Sequence, residues 1–201
     1  MPAIGITGGI ATGKTAFCDC LRELLPATFF NADDAARELV DRDPEVKELI
    51  AREFGPAIYS AAGDLNRAEL RAIVFADAEK KRALEQILHP RIRRQWSTQA
   101  ERRRNSAELF FADIPLLYET GGETLCDRVV VVACSPSVQL ARLRERGPLS
   151  ETVAKQMIAA QMPLSEKISR ADHVVWNNGG RDGLATQAAL LADFLRGGKQ
   201  A

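Results

Sequence analysis

Gly8-Gly9-Ile10-Ala11-Thr12-Gly13-Lys14-Thr15 is the stretch that decides how this chain reads. It fits G-x-x-x-x-G-K-[ST], a phosphate-binding loop. Gly8 and Gly13 let the backbone turn tightly, so that successive N–H groups point into one concavity. Lys14 carries a compact positive charge that reaches β- and γ-phosphates, and the Thr15 hydroxyl is a ligand for Mg²⁺. Gly9, Ile10, Ala11 and Thr12 supply the backbone between them. Ala3-Ile4-Gly5-Ile6-Thr7 ahead of the loop reads as a buried strand. Lys14 to Leu25 reads as a helix with Phe17, Leu21 and Leu24 on one stripe. A strand, a glycine loop and a helix in that order predict nucleoside triphosphate binding.

Outward from the loop, strand-like runs alternate with helical ones. The runs are Ala3–Thr7, Thr28–Asn31, Glu108–Ile114, Arg128–Ala133 and His173–Trp176. The alternation predicts an α/β protein of three layers, a P-loop NTPase fold with a five-stranded parallel sheet and helices on both faces. Residues 32–107 are far more than one crossover helix needs. They read as helices over Ala35–Asp41, Pro44–Phe54, Arg67–Phe75 and from Glu79 to about Arg104, with turns at Gly55-Pro56 and Gly63-Asp64. The expected division is a core of residues 1–34 and 106–201, with 35–105 an all-helical insertion over the strand ends for an acceptor substrate. Within the core, residues 137–171 carry Arg142, Arg144, Arg146, Lys155 and Lys167, with breaks at Gly147-Pro148 and Pro163. That segment reads as a helical lid over phosphates, or residue by residue as a solvated charged face.

Composition narrows the classes. The 201 residues hold 27 basic and 27 acidic side chains, a balance that does not suggest a nucleic-acid protein. The apolar run Val129–Cys134 is too short to span a bilayer. The first strand follows Met1-Pro2 directly, so no signal peptide is expected. The tail from Arg196 reads as frayed. Cys18, Cys20, Cys126 and Cys134 read as inert thiols.

Three further positions bear on chemistry. Asp33 lies just beyond the second strand, where carboxyl ends of parallel strands face a ligand crevice. A carboxylate there can take a proton from an attacking hydroxyl, although Asp33 and Asp34 both also suit helix capping. Asp113 closes the apolar run Leu109–Ala112, a place for an acid near Mg²⁺ and the attacking group, or for core packing. His89-Pro90 lies in the insertion beside Arg91, Arg93, Arg94 and Arg102–Arg104. That basic stretch suits an anionic small substrate or a solvated face better than nucleic acid, because its aromatic content is Trp96 alone.

These pieces together resemble the dephospho-coenzyme A kinases, P-loop kinases that phosphorylate the ribose 3′-hydroxyl of dephospho-CoA in the last step of CoA synthesis. The matching stretches are Thr7–Thr15, Asn31-Ala32-Asp33, Leu88-His89-Pro90, Asp113–Glu119, Gln139–Leu143 and Ala171–Gly179. The resemblance implies an ATP- and Mg²⁺-dependent phosphotransferase with Asp33 as the base, Lys14 and Thr15 on the phosphates and metal, and Arg142 on the transferring group. It implies that Asn177 lies near adenine. His89, Asp113, Pro115, Leu116, Leu117 and Glu119, with Asp33, would hold dephospho-CoA. The accompanying expectation is a cytoplasmic protein, a monomer rather than an oligomer, with no nucleic-acid or membrane partner. Two departures stand out: Asn31 and Trp176 occupy positions where the family usually has Asp. Rival readings are another small-molecule P-loop kinase, a GTPase switch and a nucleic-acid-dependent ATPase. The switch lacks its Asn-Lys-x-Asp and Asp-x-x-Gly motifs.

Overall fold

The computed structural model describes residues 3–103, 106, 108–147 and 149–197. Met1-Pro2, Arg104, Pro148 and the last four residues, on which some sequence expectations fall, lie outside the described set. The chain divides into two compact units, residues 1–30 with 100–201, and residues 31–99.

The first unit is built on the sheet the alternation predicts. Its strands are β1 (Ala3–Gly8), β2 (Ala27–Asn31, whose last residue opens the second unit), β3 (Leu109–Asp113), β4 (Arg128–Ala133) and β5 (His173–Trp176), in spatial order β2-β3-β1-β4-β5. β1 pairs in parallel with β3 and with β4, and β4 with β5. Every residue of β1 and β3 is buried, as is all of β4 after Arg128. Such uninterrupted apolar runs are stable only when helices cover both sheet faces. Helices α1 (Lys14–Leu24) and α9 (Arg181–Gly197) share one core with the sheet, in which Phe17 and Leu21 meet Ile4, Phe111, Leu184 and Ala188. The expected lid segment comprises three helices, α6 (Pro136–Glu145), α7 (Glu151–Ala159) and α8 (Leu164–Ser169). Ser135 and Ser150 cap the first two by accepting from Val138 N and Val153 N. Leu143 and Ala154 bury with Ala11 in a small cluster of their own. Strand order reverses at β1, so a crevice opens at its carboxyl end, where the glycine loop begins.

The second unit is helical: α2 (Ala32–Arg42), α3 (Pro44–Phe54), a 3-10 turn at Pro56–Ile58, α4 (Arg67–Ala76) and most of α5 (Ala78–Arg103). Its core gathers Leu39, Val46, Ile50, Ile58 and Leu70. Asn31, Asp43 and Asn66 cap α2, α3 and α4. Two local expectations are corrected. Helix α2 starts at Ala32, three residues before the predicted Ala35, because the Asn31 side chain accepts Asp34 N at 3.0 Å. Neither Asp33 nor Asp34 is therefore the cap. No composition shift marks the division at residue 99, because α5 runs through it unbroken.

Candidate active site

The loop after β1 has the backbone of an anion cradle. Gly13, in the left-handed region at φ 92°, precedes α1 without capping it by a side chain, and no acid occupies the first turn. The first N–H groups of α1 and the positive end of its dipole are thus left for a ligand. Ala11 also adopts φ 60°, the one non-glycine with positive φ among the described residues. Such local strain gathers where a ligand must be gripped. The fit around the loop is close: a Cβ on Gly13 would lie 2.1 Å from Asn177 Nδ2, and one on Gly8 2.4 Å from the Val132 carbonyl oxygen. Only glycine at these two positions lets Asn177 and the Val132 carbonyl approach the loop so closely.

Side chains approach the cradle from both flanks. From β3, next to β1, Asp113 receives the Lys14 ammonium in a short ion pair, with side chains 1% and 12% exposed. On the other flank, beyond β5, Asn177 is buried and donates to the Thr12 carbonyl at 2.8 Å. Arg142, near the end of α6, is half-buried there, its guanidinium 3.4 Å from the Thr12 and Gly179 carbonyls and 3.5 Å from Asn177 Oδ1. Thr15 is exposed in the first turn of α1. One cation thus stands on the β3 flank of the loop and another on the β5 flank.

Two glutamines grip Ile10 by its backbone. Gln139 donates to its carbonyl at 2.8 Å, and Gln161 accepts its N–H at 2.8 Å. Lys167, expected as a lid cation or a solvated one, is instead fully buried: its Nζ lies 2.8 Å from Glu119 Oε1 and donates to Pro115 O at 3.0 Å and Gly8 O at 3.4 Å. Burial pushes its pKa down, and Glu119 opposes that shift. Sequence reading assigned no role to Gln139 or Gln161 and took Lys167 for a lid cation or a solvated one. A cation in a charged helical segment carries no local mark of burial. Arg144 and Arg146 are exposed, and Lys155 pairs with Glu151 at the surface.

The other anticipated residues are distributed as follows. Leu117 is fully buried, and a Cβ on Gly5 would come within 2.7 Å of it. Pro115 and Leu116 are half-buried, and the Leu116 carbonyl accepts the Thr120 hydroxyl at 2.8 Å. In the helical unit, Asp33 is exposed in the first turn of α2. His89 is half-buried on α5, lining a surface depression with Arg82, Glu85, Gln86 and Pro90. Trp96 is 2% exposed and offers no face for base stacking. Trp176 is exposed, while Gln187 satisfies both its backbone groups, at 2.8 and 2.7 Å.

Known proteins are similar to this chain in sequence and in architecture. The family model CoaE: Dephospho-CoA kinase matches residues 2–182. The chain is 44% identical over 202 residues to the dephospho-CoA kinase of Anaeromyxobacter dehalogenans strain 2CP-C, covering 99% of this chain and 94% of the relative. It is 41% identical over 191 residues to that of Geobacillus kaustophilus strain HTA426, covering 94% and 93%. The solved dephospho-CoA kinase from Campylobacter jejuni superposes with a TM-score of 0.75 at 25% identity, over 98% of each chain. With a phosphate loop at the sheet's switch point and relatives matched over nearly their whole length, this chain belongs to the dephospho-CoA kinase family.

Proposed function

We propose that the site works as a Mg²⁺-assisted phosphoryl-transfer centre whose loop holds the β- and γ-phosphates of ATP while the 3′-hydroxyl of dephospho-CoA attacks. The family catalyses the last step of coenzyme A biosynthesis, and ATP is the substrate its kinase activity implies. The observation carrying the site assignment is the uncapped, acid-free N-terminus of α1 beside Lys14 and Asp113. Phosphoryl transfer asks a protein chiefly for positioning and for fixed positive charge. Lys14 supplies charge once a phosphate draws it from Asp113, and Arg142 supplies it from the β5 flank. Asp33, exposed two residues beyond β2, is the proposed base.

For Mg²⁺, the residues present fit. The ion is commonly held by one or two protein oxygens, with water and phosphate completing the shell, and Thr15 offers an exposed hydroxyl. Asp113 is a nearby carboxylate in the same unit, released for the metal if Lys14 moves to phosphate. When bound, the ion neutralises charge developing on the phosphate oxygens. Of the acceptor-holding residues, Pro115 and Leu116 border the turn after β3 and His89 lies in the depression on α5. Leu117, fully buried, and Glu119, which pairs with Lys167, are proposed to hold the acceptor through that turn.

The test is a coupled assay of ADP release with MgATP and dephospho-CoA, against adenosine, AMP and dTMP as acceptors. Turnover with dephospho-CoA at least about tenfold above each rival, a preference of about 1.4 kcal/mol, is expected. Preference for AMP or dTMP would replace this reading with that of a nucleotide kinase.

A further inference from the structure

The pairing of β1 with β3 runs out where the catalytic segments begin. Ile6 and Asp113 are the last residues in register, and Ile114 N donates to the Ile6 carbonyl at 2.9 Å. Beyond that bond the strands part, β1 into the phosphate loop and β3 into the turn bearing Pro115 and Glu119. Side chains take over from the ladder. Thr7 Oγ1 donates to Pro115 O at 3.0 Å, and Lys167 Nζ reaches the same carbonyl and that of Gly8. Glu119 Oε1, which pairs with Lys167, also accepts Met162 N at 2.9 Å. One residue earlier, Gln161 holds the N–H of Ile10.

We infer that Lys167 is a positioning residue of the kinase, whose buried ammonium staples the carboxyl ends of β1 and β3 and thereby sets the phosphate loop against Asp113. The argument rests on cost and on place. An ammonium stripped of water is unfavourable unless all its protons are answered. Here each has an acceptor: two main-chain carbonyls, one on each diverging segment, and one carboxylate. A cation needed merely to fill volume would not require carbonyls from both. Gly8 opens the loop that carries Lys14, and Pro115 lies two residues after Asp113, so the staple spans the two segments that the Lys14–Asp113 pair joins. Glu119 brings in the third segment, the return from α7 through Gln161 and Met162, and so ties it to the same staple.

This inference takes its kinetic readout from the kinase reading, whereas ATP affinity tests it independently. The experiment compares Lys167→Met, which keeps the length but removes the charge, with Glu119→Gln, which keeps an acceptor oxygen for Met162. Steady-state kinetics, ATP affinity by calorimetry and melting temperature are measured on each, with assays well below the melting temperature. Misplacement of a catalytic framework by about 1 Å can cost about 100-fold, so Lys167→Met is expected to lower kcat by about 30- to 100-fold. ATP binding should weaken about tenfold or more, and KM for dephospho-CoA should change less than about threefold. Glu119→Gln should lie between Lys167→Met and wild type. A folded Lys167→Met protein with kcat and ATP affinity within threefold of wild type overturns the inference, even if it melts earlier. If Lys167→Met does not fold, the decision passes to Glu119→Gln, and wild-type kinetics in that variant overturn the inference. If the wild-type protein leaves dephospho-CoA untouched, the kinase reading fails, and ATP affinity of the two variants still decides the role of Lys167.

Discussion

Asn177 Nδ2 donates to the Thr12 carbonyl at 2.8 Å and occupies the space a side chain on Gly13 would need. The residue that follows β5 thus fixes the backbone of a loop that is 165 residues away in sequence. Gly13→Ala should be doubly unfavourable, through its φ of 92° and a contact at 2.1 Å. ATP affinity is expected to fall by at least about tenfold, roughly 1.4 kcal/mol. Asn177→Ala removes the bond and leaves a buried carbonyl unanswered by it, costing about 1–3 kcal/mol. Calorimetry with ATP and thermal melts check both.

Lys14→Ala should abolish turnover, because the loop loses its side-chain charge. It should also destabilise the fold, because it takes from Asp113, 1% exposed, the partner that neutralises it. Breaking such a pair from one side costs on the order of 3 kcal/mol. The double variant Lys14→Met with Asp113→Asn should regain most of the melting temperature and none of the activity. A stable, inactive Lys14→Ala would show that the pair contributes little to folding.

Asp33→Asn tests the proposed base. The amide is nearly isosteric yet cannot accept the hydroxyl proton, so kcat should fall about 10²–10⁴-fold. Because Asn31, not Asp33, caps α2, the melting temperature should hold. Turnover within about threefold of wild type would shift the role of base to Asp113.

Asn31→Asp should be neutral or slightly stabilising, since Asp caps as well as Asn and adds negative charge at a helix N-terminus. Asn31→Ala should cost about 1 kcal/mol, or about 2–4 °C for a chain of this size. A lower Mg²⁺ requirement in Asn31→Asp would place this side chain near the metal.

Alkaline pH should weaken the fold through its thiols. Burial pushes the Cys126 thiol from 9.0 up to about 12, and Cys18 is pushed up chiefly by burial, with Asp113 adding to it. Their contribution is complete below about pH 9 and is lost as pH rises, because the unfolded chain releases protons that the folded chain retains. Lys167, shifted down by burial, works in the opposite direction. Cys126→Ala should therefore make the loss of stability between about pH 9 and 11 shallower, by up to about 1.4 kcal/mol per pH unit. Urea unfolding across that range measures it.

The five strands, the phosphate loop and the helical nature of residues 32–103 were legible in the sequence. Each is encoded locally: by uninterrupted apolar runs such as Val129–Ala133, by glycines at a fixed spacing before Lys14, and by helical periodicity punctuated at Pro44 and Gly55. Asp113 was legible as an acid closing an apolar strand. The start of α2 was misplaced because Asn31 was read as a missing acid, when its short amide is a good cap. What tertiary structure alone decided is which charges are buried and which partners meet. Lys167 and Lys155 stand in the same charged segment, yet one lies under the phosphate loop and the other is solvated. The pairings Lys14–Asp113, Asn177–Thr12 and Lys167–Gly8 join residues 99, 165 and 159 positions apart. Such pairings follow from strand order and register, and the local chain does not encode them. A cation's worth to this site is set by the water it loses and the carbonyls it gains, and both quantities exist only once the sheet has closed around it.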